Sequence, residues 1–285
     1  DISSGADFTK LIFEGYLSDL KGIQPNDVLD LSKVQKTRND FAEWSLDEHI
    51  NRAEITKKIV SETMGRLKER KKGLAFCVSK SHAEDMAIRF NEAGLASTFI
   101  HSDLSAEDRA KRLLGFKNGE FSLIANVGVL TTGFDAPDLD FIVMARPTRS
   151  PSLHIQMLGR GMRPHSSKEN CLVLDYGGNI QRLGFVNEVS LPDADTLNEN
   201  VPKVKICQSC DAFIAISSKK CKFCDAVVVV KAPKDIVPLE NAYVGDIIKK
   251  ATLLKAQEPA GLLIKVKYAD TKKILIFASD APFSG

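Results

Sequence analysis

The chain has 285 residues, more than the roughly 100 to 200 of a single domain, so two or three folded units are expected. Hydrophobic residues make up 44% and charged residues 27%, a balance that excludes a wholly disordered chain. The formal net charge of +2 does not by itself indicate a nucleic-acid partner. Because no apolar run approaches the ~18 residues of a membrane span and no secretory signal opens the chain, a cytoplasmic protein without a membrane partner is expected.

Residues 1–57 are predicted to form a connector. They are rich in Asp, Asn and Ser and hold one short apolar stretch, residues 9–20. The chain starts with Asp1 and runs at once into irregular sequence, so a preceding domain is expected. Within the connector, residues 47–49 spell the start of a DEAH box, but they follow a polar stretch and are predicted to be a solvated helix start.

Strands and helices are predicted to alternate over residues 58–197. Apolar residues recur every three or four positions from residue 55 to 67, which predicts an amphipathic helix ending near residue 70. Five short apolar runs follow, GLAFCV, STFIH, SLIAN, FIVMA and CLVLDY, with helical patterns at 81–93 and 105–116. This alternation predicts an α/β fold, a parallel sheet with helices on both faces, whose ligand loops lie at the carboxyl ends of its strands.

The segment Gln156-Met-Leu-Gly-Arg160-Gly-Met-Arg163 carries the strongest chemical indication. On a helix and its following turn, the two arginines lie three residues apart, which brings two planar cations together. Such a pair suits a polyphosphate, because arginine stabilises the charge that develops during phosphoryl transfer. From this segment alone, two surface arginines paired with carboxylates are the open alternative.

A glycine-containing loop, TTGFDAP at residues 131–137, follows the strand-like run SLIAN. Gly133 permits a close approach of the backbone to a ligand. Asp135 can accept a hydrogen bond from a ribose or order the nearby arginines. A simple turn with a capping Asp is the alternative.

The order of these segments resembles the second motor domain of superfamily 2 helicases. GLAFCVSKSHAE resembles motif IV, IHSDLS motif IVa, NVGVLTTGFDAP motif V and QMLGRGMRP motif VI, over about residues 58–180. The TTGFDAP loop and the cysteines that follow are most similar to the RadD-like DNA repair helicases. The resemblance implies a RecA-like sheet, ATP and Mg²⁺ in the intact enzyme, and single-stranded or branched DNA as a partner.

The resemblance also implies roles for nucleotide-binding residues. It makes Arg163 the arginine finger and places Arg160 beside it on phosphate. Gln156 aligns the γ-phosphate or its water, Asp135 lies near the ribose, and Gly133 borders the nucleotide.

On the nucleic-acid side, the resemblance places Ser79, His101 and Thr131 against the backbone of the bound strand. For His101 a purely structural role is an equal alternative. Val127 stands where many family members have a Thr that holds a phosphate, which puts a contact there in doubt.

No G-x-x-x-x-G-K-[ST] sequence occurs in the chain, so it lacks the loop that cradles the β- and γ-phosphates. A first RecA-like domain is therefore an expected partner in cis, and this chain alone is expected not to hydrolyse ATP. A repair or single-strand-binding protein is a further expected partner. The alternative function is a zinc-containing module that binds nucleic acid or protein and carries a vestigial motor domain.

Two C-x2-C pairs, Cys207/Cys210 and Cys221/Cys224, lie ten residues apart. Two such knuckles provide four sulfur ligands, which suit a closed, structural Zn²⁺ site in a reducing compartment. A zinc ribbon is therefore predicted over residues 203–230, with metal binding supplying folding free energy. A redox dithiol is the alternative.

The surroundings of the second knuckle leave its partner open between nucleic acid and protein. The lysines around it can contact phosphates; they are Lys219, Lys220 and Lys222. The apolar side chains of the module can stack on a base, dock a protein or fill the core of the ribbon; they are Phe213, Ile214 and Phe223. After it, residues 235–285 are predicted to form a small α+β tail with a helix at 242–254 and a hairpin from two runs, 262–268 and 274–278.

Overall fold

The computed structural model describes residues 8–128, 135–185 and 204–228, together with the strands at 262–267 and 274–279. In chain order the elements are α1 (Phe8–Phe13), β1 (Asp19–Ile23), α2 (Glu43–Ile50), α3 (Ala53–Leu67), β2 (Gly73–Phe76), α4 (Lys80–Glu92), β3 (Ser97–Ile100), α5 (Ala106–Asn118), β4 (Leu123–Asn126), β5 (Phe141–Met144), α6 (Pro151–Gly159), β6 (Asn170–Leu174), α7 (Asn179–Leu183), β7 (Val204–Ile206), β8 (Phe213–Ala215), β9 (Leu262–Lys267) and β10 (Ile274–Ser279). Among the described residues, none of the helices has the length and apolar character that a membrane crossing requires.

The chain divides into two units, Asp1–Val229 and Val230–Gly285. In the second unit, β9 and β10 pair antiparallel, with Ile274 opposite Lys267. These strands confirm the predicted hairpin, whereas the helix predicted at 242–254 lies outside the described residues.

Six parallel strands form the central sheet of the first unit, in the order β1-β6-β5-β2-β4-β3. Strands β2, β4 and β5 are buried along their whole length, which explains why their sequences are apolar except for Asn126, whose side-chain amide donates to the Ala75 carbonyl. The predicted α/β, RecA-like sheet is confirmed.

Two apolar cores lie on the two faces of this sheet, because successive side chains of a strand point to opposite sides. In β2, Leu74 and Phe76 belong to the core that also contains Met157 of α6. Ala75 belongs to the other core, together with Phe90 of α4. Helices therefore cover both faces.

An edge strand lies inside the segment predicted as a connector. Residues 19–23 form β1 and pair in parallel with β6, with Asp19 opposite Asn170 and Ile23 opposite Leu174. Its sequence, DLKGI, alternates polar with apolar residues and is too short and too polar to indicate a strand by itself. Residues 19–23, within the segment predicted as a connector, thus belong to the central sheet, and this part of the expectation is corrected.

Two helix predictions also need correction. Residues 47–49 lie at the end of α2 and not at a helix start. The first amphipathic helix, α3, ends at Leu67, and Lys68 then adopts a positive φ of 50°. Arg70, which follows, donates to the Asp140 carbonyl at 3.0 Å, just before β5.

Candidate nucleotide and metal sites

The crossover from β5 to β6 determines where the arginine pair lies. α6 begins after Ser150, whose hydroxyl accepts a hydrogen bond from the Leu153 N–H. Because β5 and β6 are parallel, α6 runs back along the sheet and ends at the edge where the strands begin. Arg160 and Arg163 follow the end of α6 and therefore lie at this amino edge, whereas the sequence pattern placed ligand loops at the carboxyl edge.

Asp135 and Arg163, from the segments that resemble motifs V and VI, form an ion pair. Partial burial and the charge of Arg163 lower the pKa of Arg160. Two adjacent cations form a site for a polyanion. The structure thus brings together three residues predicted to bind nucleotide.

Gln156 lies on α6 one turn before Arg160, with an exposed side chain. Its amide nitrogen is 3.4 Å from the Ser152 hydroxyl, which is a long hydrogen bond. Residues four apart on a helix share a face, so Gln156 lies on the side of α6 that leads to the arginine pair. Gly133 lies outside the described residues.

Backbone carbonyls of the arginine turn, residues 160–163, accept hydrogen bonds from two residues outside it. The Ser18 N–H donates to Met162 O at 2.7 Å, and its hydroxyl donates to Arg163 O at 3.1 Å. The Lys168 ammonium donates to Gly161 O at 2.9 Å, and burial lowers its pKa. Sequence analysis missed Ser18 and Lys168, because neither belongs to a recognisable motif.

Gly161 allows the arginine turn to lie against the sheet. A Cβ atom at this position would come within 2.6 Å of Cys171 Sγ on β6 and 3.1 Å of Ile142 Cδ1 on β5. Neither neighbour can withdraw freely, because both side chains are buried in the core. A side chain here displaces the turn and the arginines with it.

Replacing Gly161 with alanine is therefore expected to lower the free energy of unfolding by about 1 to 3 kcal/mol, as overpacking does. Denaturant unfolding measures this change. The matched control is Gly159→Ala in the same segment, where an added Cβ meets no atom within 4 Å. That control is expected to be neutral or mildly stabilising, because Ala favours a helix over Gly. Equal effects of the two substitutions would contradict the packing explanation.

Two of the residues predicted to face nucleic acid, Ser79 and His101, follow β2 and β3 of the parallel sheet, so they lie at its carboxyl edge. Ser79 caps α4, accepting from the His82 N–H at 3.2 Å. His101 is only 6% exposed, and its Nε2 lies 2.9 Å from the Glu84 carboxylate, as expected for a structural histidine. Thr131 lies outside the described residues. The length of the strands separates this edge from the arginine turn.

The four cysteines predicted to bind zinc form one cluster, with all four sulfurs within 4.8 Å of one another. The Cys207–Cys224 and Cys210–Cys221 sulfur distances are 3.6 and 3.7 Å. A tetrahedral Zn²⁺ with Zn–S bonds of about 2.3 Å requires sulfurs about 3.8 Å apart. The cluster therefore fits a tetrahedral metal ion.

The two knuckles have the same backbone conformation. In each, the Asp after the second cysteine has a left-handed φ, 57° at Asp211 and 56° at Asp225. Their N–H groups donate to the carbonyls of Cys207 and Cys221 at 3.0 and 2.9 Å. Asp tolerates this conformation better than most residues, so the repeated C-x2-C-D-A sequence supports both turns.

The cysteine module, residues 204–228, packs against the part of the chain that forms the central sheet. The Phe213 ring lies edge-on to Phe185, with 6.3 Å between centroids, and belongs to the same core as α6. Ile214 is also buried, at 4% exposure. Phe213 and Ile214 therefore fill apolar cores, which is one of the roles predicted for them. Lys222 forms an ion pair with Asp19 at 2.6 Å.

Comparisons with known proteins agree with this geometry. Residues 52–165 match the family described as the helicase conserved C-terminal domain. The chain is 34% identical over 184 residues to IRC3 of Saccharomyces cerevisiae, named as an ATP-dependent helicase, covering 64% of this chain and 27% of that protein. It is 27% identical over 224 residues to the UvrABC system protein B of Treponema denticola, covering 76% of this chain and 30% of that protein.

The chain thus spans less than a third of the length of these two curated relatives. A solved fragment, named as an HsdR subunit of a type I restriction enzyme from Vibrio vulnificus YJ016, shares the fold. It superposes with a TM-score of 0.51 at 20% identity, covering 72% of this chain and 40% of that one. Over residues 52–165 this chain therefore resembles the helicase conserved C-terminal domain, and its parallel sheet resembles that of the solved fragment.

Proposed function

We propose that the chain is the second motor half of an ATP-dependent helicase or translocase that acts on DNA. The main support for the proposal is the arginine turn, in which Arg160 and Arg163 lie close together within the segment that matches the helicase conserved C-terminal domain. ATP then binds in a cleft between this domain and a first RecA-like domain. The first domain supplies the phosphate-binding loop and the Mg²⁺ site, which this sequence lacks.

In hydrolysis, water attacks the γ-phosphorus and the bond to the bridging oxygen of ADP breaks. Arg163 is the finger that stabilises negative charge on the γ-phosphate oxygens, and Arg160 binds phosphate beside it. Gln156 aligns the γ-phosphate or the attacking water. Asp135 orients Arg163 through their ion pair and lies near the ribose, while Gly133 borders the nucleotide.

Binding and release of nucleotide close and open the cleft, which alternates the grip on a nucleic-acid strand and converts hydrolysis into movement. Ser79 and Thr131 contact the backbone of the strand at the carboxyl edge of the sheet. The His101 ring is buried and contacts the Glu84 carboxylate, so its proposed role is to stabilise the carboxyl edge of the sheet.

DNA and a role in DNA repair are proposed from the resemblance to RadD-like helicases, which rests on the TTGFDAP loop and the cysteines that follow. Single-stranded or branched DNA is the proposed substrate, and a repair or single-strand-binding protein a proposed partner. The four cysteines hold a structural Zn²⁺, since four protein ligands leave no open position for catalysis.

ATP hydrolysis measured with nucleic acids of one sequence tests this function. The full-length protein is expected to turn over ATP faster with single-stranded or branched DNA than with RNA or without nucleic acid, and the 285-residue chain alone is expected to be inactive. Equal stimulation by RNA would exclude the preference for DNA. A full-length protein without nucleic-acid-dependent turnover would favour the alternative of a binding module with a vestigial motor.

A further inference from the structure

Two consecutive residues at the start of β1 connect the arginine turn to the cysteine module. Ser18 binds the turn with both its N–H and its hydroxyl, at 2.7 Å to Met162 O and 3.1 Å to Arg163 O. Asp19 accepts from the Lys222 ammonium with both carboxylate oxygens, at 2.7 and 2.6 Å. A single peptide bond therefore separates the two contacts.

Lys222 lies inside the second knuckle, between Cys221 and Cys224. A metal ion bound by these two cysteines would hold both ends of the short loop that carries the lysine. Within the loop, the Phe223 N–H donates to Cys221 Sγ at 3.5 Å, and the Lys222 ammonium lies 4.8 Å from the Phe223 ring centroid. These contacts place the Lys222 charge next to the cysteine cluster, so a metal bound there would hold the lysine in position.

The first knuckle holds the other end of β1. Ile23 forms an antiparallel bridge with Ala212, and the Gln24 N–H donates to Asp211 O at 3.3 Å. The Asp211 carboxylate also pairs with Arg66 of α3 at 3.0 Å. Among the described residues, the module therefore supplies the backbone contacts at the outer side of this edge strand, near its end.

From these contacts we propose that the cysteine module positions the arginine turn, and that Lys222 is a positioning residue acting through Asp19 and Ser18 on Arg163. The catalytic part of this inference rests on the proposed function. The Lys222 and Asp19 side chains are 57% and 28% exposed, so their ion pair contributes modestly. Its loss loosens the start of β1 without unfolding the domain.

Three substitutions isolate this connection. Lys222→Met removes the charge and retains most of the aliphatic stem, Lys222→Arg retains the charge, and Asp19→Asn removes the partner charge from the other side. Lys220→Met is the matched control, because Lys220 lies in the same module with an exposed side chain and forms no ion pair recorded among the described residues. Zinc content is measured for every variant, so that a lost metal is not mistaken for a lost ion pair.

Amide hydrogen exchange at Ser18 in the 285-residue chain is the first readout, because this N–H donates to the arginine turn. Lys222→Met and Asp19→Asn are expected to accelerate this exchange by about twofold to fivefold. Lys222→Arg and Lys220→Met are expected to match the unchanged protein. The second readout is ATP hydrolysis by the full-length protein, where the first two variants are expected to lower kcat by a similar factor with little change in KM.

Ser18 exchange that is the same in Lys222→Met and in the unchanged protein would overturn the connection. The connection would also be overturned if Lys222→Met left kcat unchanged while Arg163→Ala was inactive, because the ion pair would then have no effect on the arginine finger. Full activity of Arg163→Ala would instead overturn the proposed function. The exchange measurement requires no ATP and still tests the contact in that case.

Discussion

Replacing Arg163 with alanine in the full-length protein is expected to lower nucleic-acid-stimulated ATP hydrolysis by about 10³- to 10⁵-fold. The guanidinium lies beside Arg160 at the end of α6, and the proposed mechanism brings it to the γ-phosphate oxygens as charge develops. Because this interaction is strongest in the transition state, kcat should fall steeply while ATP affinity changes little. Steady-state kinetics and equilibrium nucleotide binding measure the two effects separately.

Arg89→Ala is the matched control for this substitution. Arg89 also pairs with an aspartate, Asp85, at 2.9 Å, but lies on α4 away from the arginine turn. Its loss is expected to leave ATP hydrolysis unchanged. Arg163→Lys keeps the charge without the planar fork and is expected to recover only part of the lost rate. Full activity of Arg163→Ala would remove the assignment of this residue as the finger.

Removing the Zn²⁺ proposed for the cysteine cluster is expected to unfold the module of residues 204–228. Structural zinc sites supply roughly 10 to 16 kcal/mol of apparent binding free energy, which so small a segment cannot replace by apolar burial. Because Phe213 packs in the core that contains α6, the motor domain is also expected to lose stability. Metal analysis and thermal unfolding, with and without a strong chelator, measure these changes.

Cys207→Ser is expected to reproduce the effect of the chelator, because it removes one of four ligands from the closed cluster. Cys77→Ala is its control, since Cys77 is buried in the sheet core and its pKa is raised by burial, as for an unreactive thiol. That variant is expected to keep its zinc at only a modest cost in stability. Retention of both metal and stability by Cys207→Ser would contradict the zinc assignment.

Patterns contained within single segments were enough to predict much of this protein. Short apolar runs indicated the buried strands β2, β4 and β5, since a parallel sheet is covered on both faces. The helical pattern at 105–116 predicted α5, at whose start the Ser105 hydroxyl accepts a hydrogen bond from the Asp108 N–H. The spacing of the cysteine pairs predicted the cluster, because each knuckle is a local turn.

The tertiary structure alone decided which distant residues serve the candidate site. β1 is short and partly polar, and only its pairing with β6 makes it a strand. Ser18 meets Arg163 across 145 positions of the chain, and Lys222 meets Asp19 across 203. A periodic sequence pattern reports the environment of one segment, whereas these contacts depend on how the sheet, α6 and the cysteine module pack together, so no local signal could reveal them.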